Sequence, residues 1–328
     1  MWSSNRTLNP PVYRMRISLL RLGTIAILVL ALGPAPSMAT GGPLPPLSGP
    51  TSPQGEPFDP LPAPARIWLD PDGAPLPFRN DEEVIAFMRT AEITAMKELT
   101  WSKTRPHKVL LEQDGVRMNA IFRTVDVSRE RVRIGGRFHM FFRDNAIFEC
   151  AAYSLAQLFG LENVPPAVPR SINGRWGSLQ IWVEGTMTGN DRRQQGLQPP
   201  NPQDWFLNTR VISVWDQLIF NDDRNPGNIL IDSDWDVWMV DHTRAFQRDS
   251  RLRDPEQVTH CERRLWRRLQ EVSDDEIRAA VADYLRPAEI EDLLERRAKL
   301  VDRIASLILE RGQGAVIFDM AGGQPTNL

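Results

Sequence analysis

Three oxygen-bearing side chains stand out in the stretch Asn221-Asp222-Asp223-Arg224-Asn225-Pro226-Gly227-Asn228 and, further on, at Asp241. An amide (Asn228) and a carboxylate (Asp241) at neighbouring strand ends suit a hard cation such as Mg2+, which accepts one or two protein oxygens and fills its other positions with water and phosphate. Asp223, just before the turn, stays free to act as a base. A carboxylate beside a hydroxyl takes up its proton as that oxygen attacks a phosphoryl group, while the metal offsets phosphate charge. Asp, Asn, Pro and Gly also build plain turns that need no ligand, so the order of the residues carries the argument. Glu149 adds independent weight. A lone carboxylate on a helix that is apolar on both faces demands a cationic partner, and Arg123, at the end of the run Ala120-Ile121-Phe122, is the candidate. A purely structural ion pair is the competing reading.

These groups need elements to hold them. Val211, Val214, Trp215, Leu218 and Ile219 repeat at helical spacing and predict a helix over 205–220 that delivers Asp223 to its loop. A hairpin follows; with its turn centred on Ser233 and Asp234, Asn228 lies opposite Met239 and Asp241 lies just past the pair. Ile147, Ala151, Ser154, Leu155 and Leu158 form one stripe of a helix over 145–159, stopped by Gly160. Asn80, followed by three acids, caps a helix expected to run to Leu99, where folded structure begins. Strands over 108–111 and 117–122 flank the turn signal Asp114-Gly115, and 177–183 reads as a buried strand ending at Glu184-Gly185. The polar stretch 186–203 reads as a flap or insertion. A capping box (Ser273, Glu276), Pro287 at a helix start and an apolar repeat through Leu307 predict a helical end to the chain.

Composition narrows the function classes. With 328 residues, 39 basic and 42 acidic side chains and a net charge of −3, the chain lacks the basic excess of a general nucleic-acid binder. Its two cysteines, Cys150 and Cys261, cannot make a thiolate zinc site, and the four histidines show no ligand spacing. Neither a Gly-x-Ser-x-Gly elbow nor a Gly-x-Gly-x-x-Gly turn occurs, which argues against a common hydrolase and a dinucleotide enzyme. The first 39 residues hold four arginines and no acid, then the apolar run 22–32 and Ser37-Met38-Ala39. That pattern predicts a signal peptide cleaved near Ala39, too short in its apolar run to span a membrane. The mature chain then carries a net charge of −7, with no membrane span, and is secreted or periplasmic.

The order Asp223-Arg224-x-x-x-Asn228, a hairpin, then Asp241 resembles the catalytic and metal loops of atypical protein-kinase-like folds, among them phosphoinositide kinases and HipA-type kinases. It is most similar to the secreted Golgi casein kinase (four-jointed type) group and its bacterial relatives. The runs 149–153, 158–161, 164–166 and 178–184 have counterparts there, so the resemblance covers roughly 120–246. It implies a two-lobed α+β protein-kinase-like fold, with a small N-terminal sheet lobe and a mainly helical C-terminal lobe. The expected layout is signal peptide 1–39, Pro-rich linker 40–78, N-lobe 79–185, C-lobe 186–321 and tail 322–328. It further implies ATP with Mg2+ or Mn2+ as cofactors, and transfer of the γ-phosphoryl group to a hydroxyl of a secreted protein or glycan. Carried over residue by residue, Asp223 is the catalytic base, Asn228 and Asp241 are metal ligands, Glu149 partners the phosphate-gripping cation Arg123, and the hinge near Glu184 holds adenine. Two positions depart from the pattern: Arg123 stands where Lys is expected, and Asp241-His242-Thr243 replaces Asp-Phe-Gly. A Gly-rich phosphate loop is not evident. A non-catalytic pseudokinase binding nucleotide or a protein partner, and a secreted structural domain in which the polar loop is only a turn, therefore stand beside the kinase reading.

Overall fold

The computed structural model describes residues 66–100, 102–134 and 137–320. The leader over 1–39, most of the Pro-rich segment and the tail lie outside the described residues. Among the described residues no helix is long and apolar enough to cross a membrane.

Order begins earlier than Asn80. Trp68 and Leu76 are buried in the core of the first lobe, and Leu69 and Pro75 form a bridge, so the end of the expected linker is packed structure. Helix α1 (Asp81–Thr90) starts where Asn80 Oδ1 accepts from the Glu83 amide. It stops at Thr90, well short of Leu99, and Glu92–Glu98 forms strand β1. The side chains of β1 are nearly all exposed, so apolar spacing says little there, and ladder pairing to the next strand decides the conformation. Strands β2 (His107–Gln113) and β3 (Val116–Arg123) are joined through Asp114 and Gly115, both at positive φ, the backbone that a two-residue hairpin turn demands.

A long hairpin of β4 (Asp126–Ile134) and β5 (Arg137–Asn145) follows, which the sequence reading missed: Gly135-Gly136 before the run of Phe138, Met140, Phe141 and Phe142 is its signal, set among the exposed arginines Arg129, Arg131 and Arg133 of β4. Helix α2 (Phe148–Phe159) is buried on nearly every side and ends at Gly160, whose left-handed φ of 71° lets its amide close on Ala156 and Gln157. Strands β6 (Ala167–Ile172) and β7 (Arg175–Ile181) complete an antiparallel sheet of order β1-β2-β3-β7-β6. At position 177 a Cβ would fall 1.9 Å from the Arg123 carbonyl oxygen. Only glycine there lets β7 run beside the strand end that carries Arg123.

The second lobe is mainly helical. The segment 186–203 is more ordered than a plain insertion. It forms β8 (Met187–Thr188) and α3 (Gly189–Gln194), entered through a capping box of Thr188 and Asp191. Helix α4 (Pro202–Leu218) leads to the loop of Asp223, a 3-10 turn spans Pro226–Asn228, and β9 (Ile229–Ile231) pairs with β10 (Val237–Met239) and with β8. The hairpin register differs by one residue from the expected pairing. Ile229 faces Met239 and the turn spans 232–236, so Asn228 lies across from Val240, whose amide donates to the Asn228 carbonyl at 3.2 Å. The Asp232 carboxylate causes the wider turn by accepting from the amides of both Asp234 and Asp236.

The chain closes with β11 (Cys261–Glu262), α5 (Arg263–Glu271), α6 (Asp274–Val281), α7 (Pro287–Arg311), α8 (Gln313–Val316) and β12 (Ile317–Phe318). Trp215, Phe246, Leu293 and Ile304 anchor this lobe's core together with the inner face of α2, each such side chain contributing about 1.5–3 kcal/mol of burial. Cys150 and Cys261 are free and buried. The two lobes are bolted together in front of α2. Arg143 on β5 pairs with Glu289 on α7 at 2.7 Å, and the Gln247 amide bonds the Arg143 backbone in both directions.

Candidate active site

Glu149 is fully buried. Its Oε1 lies 3.4 Å from Arg123 Nε and accepts from the His242 amide at 3.0 Å. Its Oε2 meets His242 Nδ1 at 3.1 Å and Gln180 Nε2 at 3.4 Å. Burial alone would raise the carboxyl pKa; the Arg123 charge and the His242 bonds overcome it and hold the group well below the usual carboxylate range. Burial also lowers the His242 pKa, against the pull of the Glu149 carboxylate at its Nδ1. The second arm of Arg123 reaches Gln180 Oε1 at 3.4 Å, and Arg123 Nε stands 4.0 Å from Asp241 Oδ1. Sheet, helix and the residues after β10 thus converge on one ion pair.

Asp241 follows β10 with a left-handed φ of 58°, a conformation that costs a non-glycine residue about 1–3 kcal/mol and is characteristic of functional sites. The Thr243 hydroxyl donates to its Oδ1 at 3.1 Å. Asn228 Nδ2 donates to the Asp223 carbonyl at 2.8 Å, which leaves the acceptor atom Oδ1 for a cation. Asp223 is half-exposed, its backbone set by Asn221 Oδ1 and its carboxylate met by Arg244 Nη1 at 3.2 Å. Glu184 at the end of the sheet lobe is occupied: Asn119 Nδ2 donates to it at 2.6 Å and Lys108 Nζ stands 3.6 Å away. Its carboxylate ties the end of the sheet lobe to β2 and β3.

Two acids that sequence reasoning passed over belong to this site. Asp144 sits at the end of β5, beside Asn145, whose amide donates to the Thr243 carbonyl at 2.8 Å. Its Oδ1 is buried without a hydrogen-bond partner. Desolvation raises its pKa, with the charges of Asp241 and Asp223 adding to the rise against Thr243 and Arg244. Asp222 is buried and also raised, by desolvation against the pull of Arg244 and His139. No spacing pattern marks either residue; Asp144 reaches the site at the end of the β4–β5 hairpin.

The donor set fits a divalent cation. A partnerless buried carboxylate oxygen at Asp144, the Asp241 carboxylate and the Asn228 amide oxygen are hard donors of the kind such an ion takes. Among the described residues no group of three His, Cys, Asp or Glu is placed to hold an ion alone. A cavity of about 850 Å3 opens beside Asp222, with Phe138, His139 and Met140 of the hairpin on one side and Phe220, Arg251 and Arg253 on the other.

No family model and no curated protein matches the sequence. Solved structures do match in fold. A hydra Fam20 with sugar superposes with a TM-score of 0.57 at 16% identity, covering 73% of this chain and 92% of that one. The Golgi casein kinase with Mn/ADP bound gives 0.54 at 14% identity over 72% of this chain and 78% of that one, and a second Golgi casein kinase structure gives 0.55 at 13% over 72% and 77%. Sheet lobe, buried Glu149 helix, hairpin and helical lobe together make this chain a two-lobed α+β protein with a protein-kinase-like fold, related to that of Fam20 and the Golgi casein kinase.

Proposed function

We propose that the protein is an ATP-dependent kinase, secreted or periplasmic, that moves the γ-phosphoryl group of ATP to a hydroxyl of an exported protein or glycan. The observation that carries this reading is the contact of the Arg123–Glu149 pair with Asp241, because it brings a phosphate-gripping cation and a metal carboxylate to one place. Asn228 and Asp241 hold Mg2+ or Mn2+, with Asp144 as a further ligand. The ion supplies charge neutralisation at the phosphates. The chain's own residues do the rest. Arg123, fixed by Glu149 and Gln180, orients the phosphates; Asp223, near the Asp222 wall of the cavity, takes the proton of the acceptor hydroxyl. The 850 Å3 cavity is the place for the acceptor. The bound Mn/ADP of one solved relative and the bound sugar of another support the choice of cofactor and acceptor class.

Incorporation of labelled γ-phosphate into dephosphorylated casein and into an oligosaccharide mixture tests the proposal. Wild type should exceed Asp241→Ala by at least about 100-fold; equal signals under every metal tried would remove it. One observation favours a pseudokinase instead. Arg123 is already shared among Glu149, Gln180 and Asp241, and its fork cannot serve phosphate in the geometry of a lysine. A melting temperature that rises with Mn-ATP but no labelled product would favour that second reading.

A further inference from the structure

The segment after Asp241 sends one more charged side chain back into the site, and it has no counterpart among the groups assigned above. Arg244 spreads its guanidinium between two adjacent carboxylates: Nη2 to Asp222 at 3.1 Å and Nη1 to Asp223 at 3.2 Å. The plane lies over the Phe142 ring at 5.5 Å, and only 18% of the Arg244 side chain is exposed. The two partners differ. Asp222 is 4% exposed and lines the cavity, whereas Asp223 is 41% exposed. A planar fork with one arm on a buried anchor fixes where its other arm points. Asp223 has few other restraints, since its Oδ1 meets Asn225 Nδ2 only at 3.5 Å.

We propose that Arg244 is a positioning residue for phosphoryl transfer: anchored on Asp222, it holds the Asp223 carboxylate aimed at the acceptor. This rests on the kinase reading above. In the step it serves, the acceptor O–H proton passes to Asp223 and the acceptor oxygen forms a bond to Pγ. The bond from Pγ to the oxygen it shares with Pβ breaks, and that electron pair leaves on ADP. Arg244 makes and breaks no bond. A misaligned base loses rate without losing nucleotide binding.

The test is a set of three variants assayed with labelled ATP on dephosphorylated casein and the oligosaccharide mixture, each first checked for folding by thermal melting. Arg244→Ala should lower kcat by roughly 100-fold with nucleotide KM changed by less than about threefold, and Arg244→Lys should recover to within about tenfold of wild type. Arg244→Ala combined with Asp222→Asn removes the buried charge that Arg244 would otherwise leave unpaired. If Arg244 is only the counter-ion of Asp222, this double variant regains wild-type turnover and the proposal fails; if it positions Asp223, turnover stays low in a stably folded protein. Full activity in Arg244→Ala overturns the proposal and leaves the kinase reading intact. A wild-type protein with no transfer to either acceptor overturns both.

Discussion

Two carboxylate environments lie within one cleft and are built in opposite ways. Glu149 is fully buried, hydrogen-bonded by the His242 amide and ring and by Gln180, and ion-paired with Arg123 at 3.4 Å. Asp144, Asp223 and Asp241 stand at strand and loop ends, partly exposed, and Asp144 keeps a buried oxygen with no partner. In the first region the carboxylate charge is offset within the chain by Arg123. In the second, Arg244 meets Asp223 and Arg123 approaches Asp241 at 4.0 Å, but the raised Asp144 carboxyl has no such partner at its buried oxygen. Their difference separates scaffold from chemistry: altering the first should cost folding, and altering the second should cost activity while leaving the fold alone.

The largest effect that would break this comparison is on activity. Asp241→Ala should take labelled-phosphate transfer to background and abolish the rise in melting temperature with Mn-ATP, while its ligand-free melting temperature stays within about 2 °C of wild type, the range of a substitution outside the core. A large loss of ligand-free stability would show that Asp241 belongs to the scaffold after all. Glu149→Ala should give the reverse pattern. It leaves Arg123 buried without its carboxylate, and breaking a buried pair costs about 3–5 kcal/mol, read as a lower denaturant midpoint without any nucleotide present.

The pH dependence of ligand-free stability sharpens the scaffold half. Because Arg123 and His242 pull the folded-state Glu149 carboxyl down to about 2 from an ordinary 4.5, its contribution is fully present above the ordinary value. It is lost as pH falls from there toward about 2. Glu149→Gln should therefore flatten the stability curve across that interval. An unchanged slope would mean that the carboxylate is not held ionised by its partners.

How far the sequence reveals this arrangement depends on whether side chains or backbone decide each element. Helix α2 is legible because its apolar residues cover it, and the turn at Asp114-Gly115 because its backbone needs those residues. Asp223, Asn228 and Asp241 stand out as an ordered set whose loop and hairpin carry strong local signals. Strand β1 leaves little trace because nearly all its side chains are exposed, whereas the hairpin β4–β5 leaves one, Gly135-Gly136 before an aromatic-rich run, that the surrounding arginines obscure. Asp144 and Arg244 are hidden for another reason. Each reaches the site through tertiary placement, Asp144 at the end of that hairpin and Arg244 by folding back on Asp222. The one-residue shift that puts Asn228 across from Val240 comes from side-chain bonds of Asp232 within the turn, which hairpin rules based on turn length alone do not capture.

Arg123→Lys bears on the boundary between the two regions. A lysine keeps the charge beside Glu149 but loses the fork that also reaches Gln180. Loss of that buried bond should cost about 1 kcal/mol of stability, while transfer activity stays within about tenfold of wild type. A lysine variant that transfers phosphate where the wild type only binds Mn-ATP would make Arg123 the reason for a pseudokinase.

The smallest effect belongs to Asp144, and its sign is the most telling. Desolvation and the charges of Asp241 and Asp223 raise its folded-state pKa, so its ionised form costs stability at neutral pH, and that cost fades as pH falls through the raised value. Asp144→Asn removes the charge and keeps the shape. At pH 7 without metal it should raise the melting temperature by about 1–2 °C, the scale of roughly 0.5 kcal/mol, and the gain should vanish in acid. With saturating Mn-ATP the order should invert, because the wild type then gains a ligand that the variant lacks. A carboxylate that weakens the empty site and strengthens the filled one is behaving as a ligand; an equal effect in both states would assign Asp144 to the scaffold and leave Asn228 and Asp241 as the protein's share of the ion.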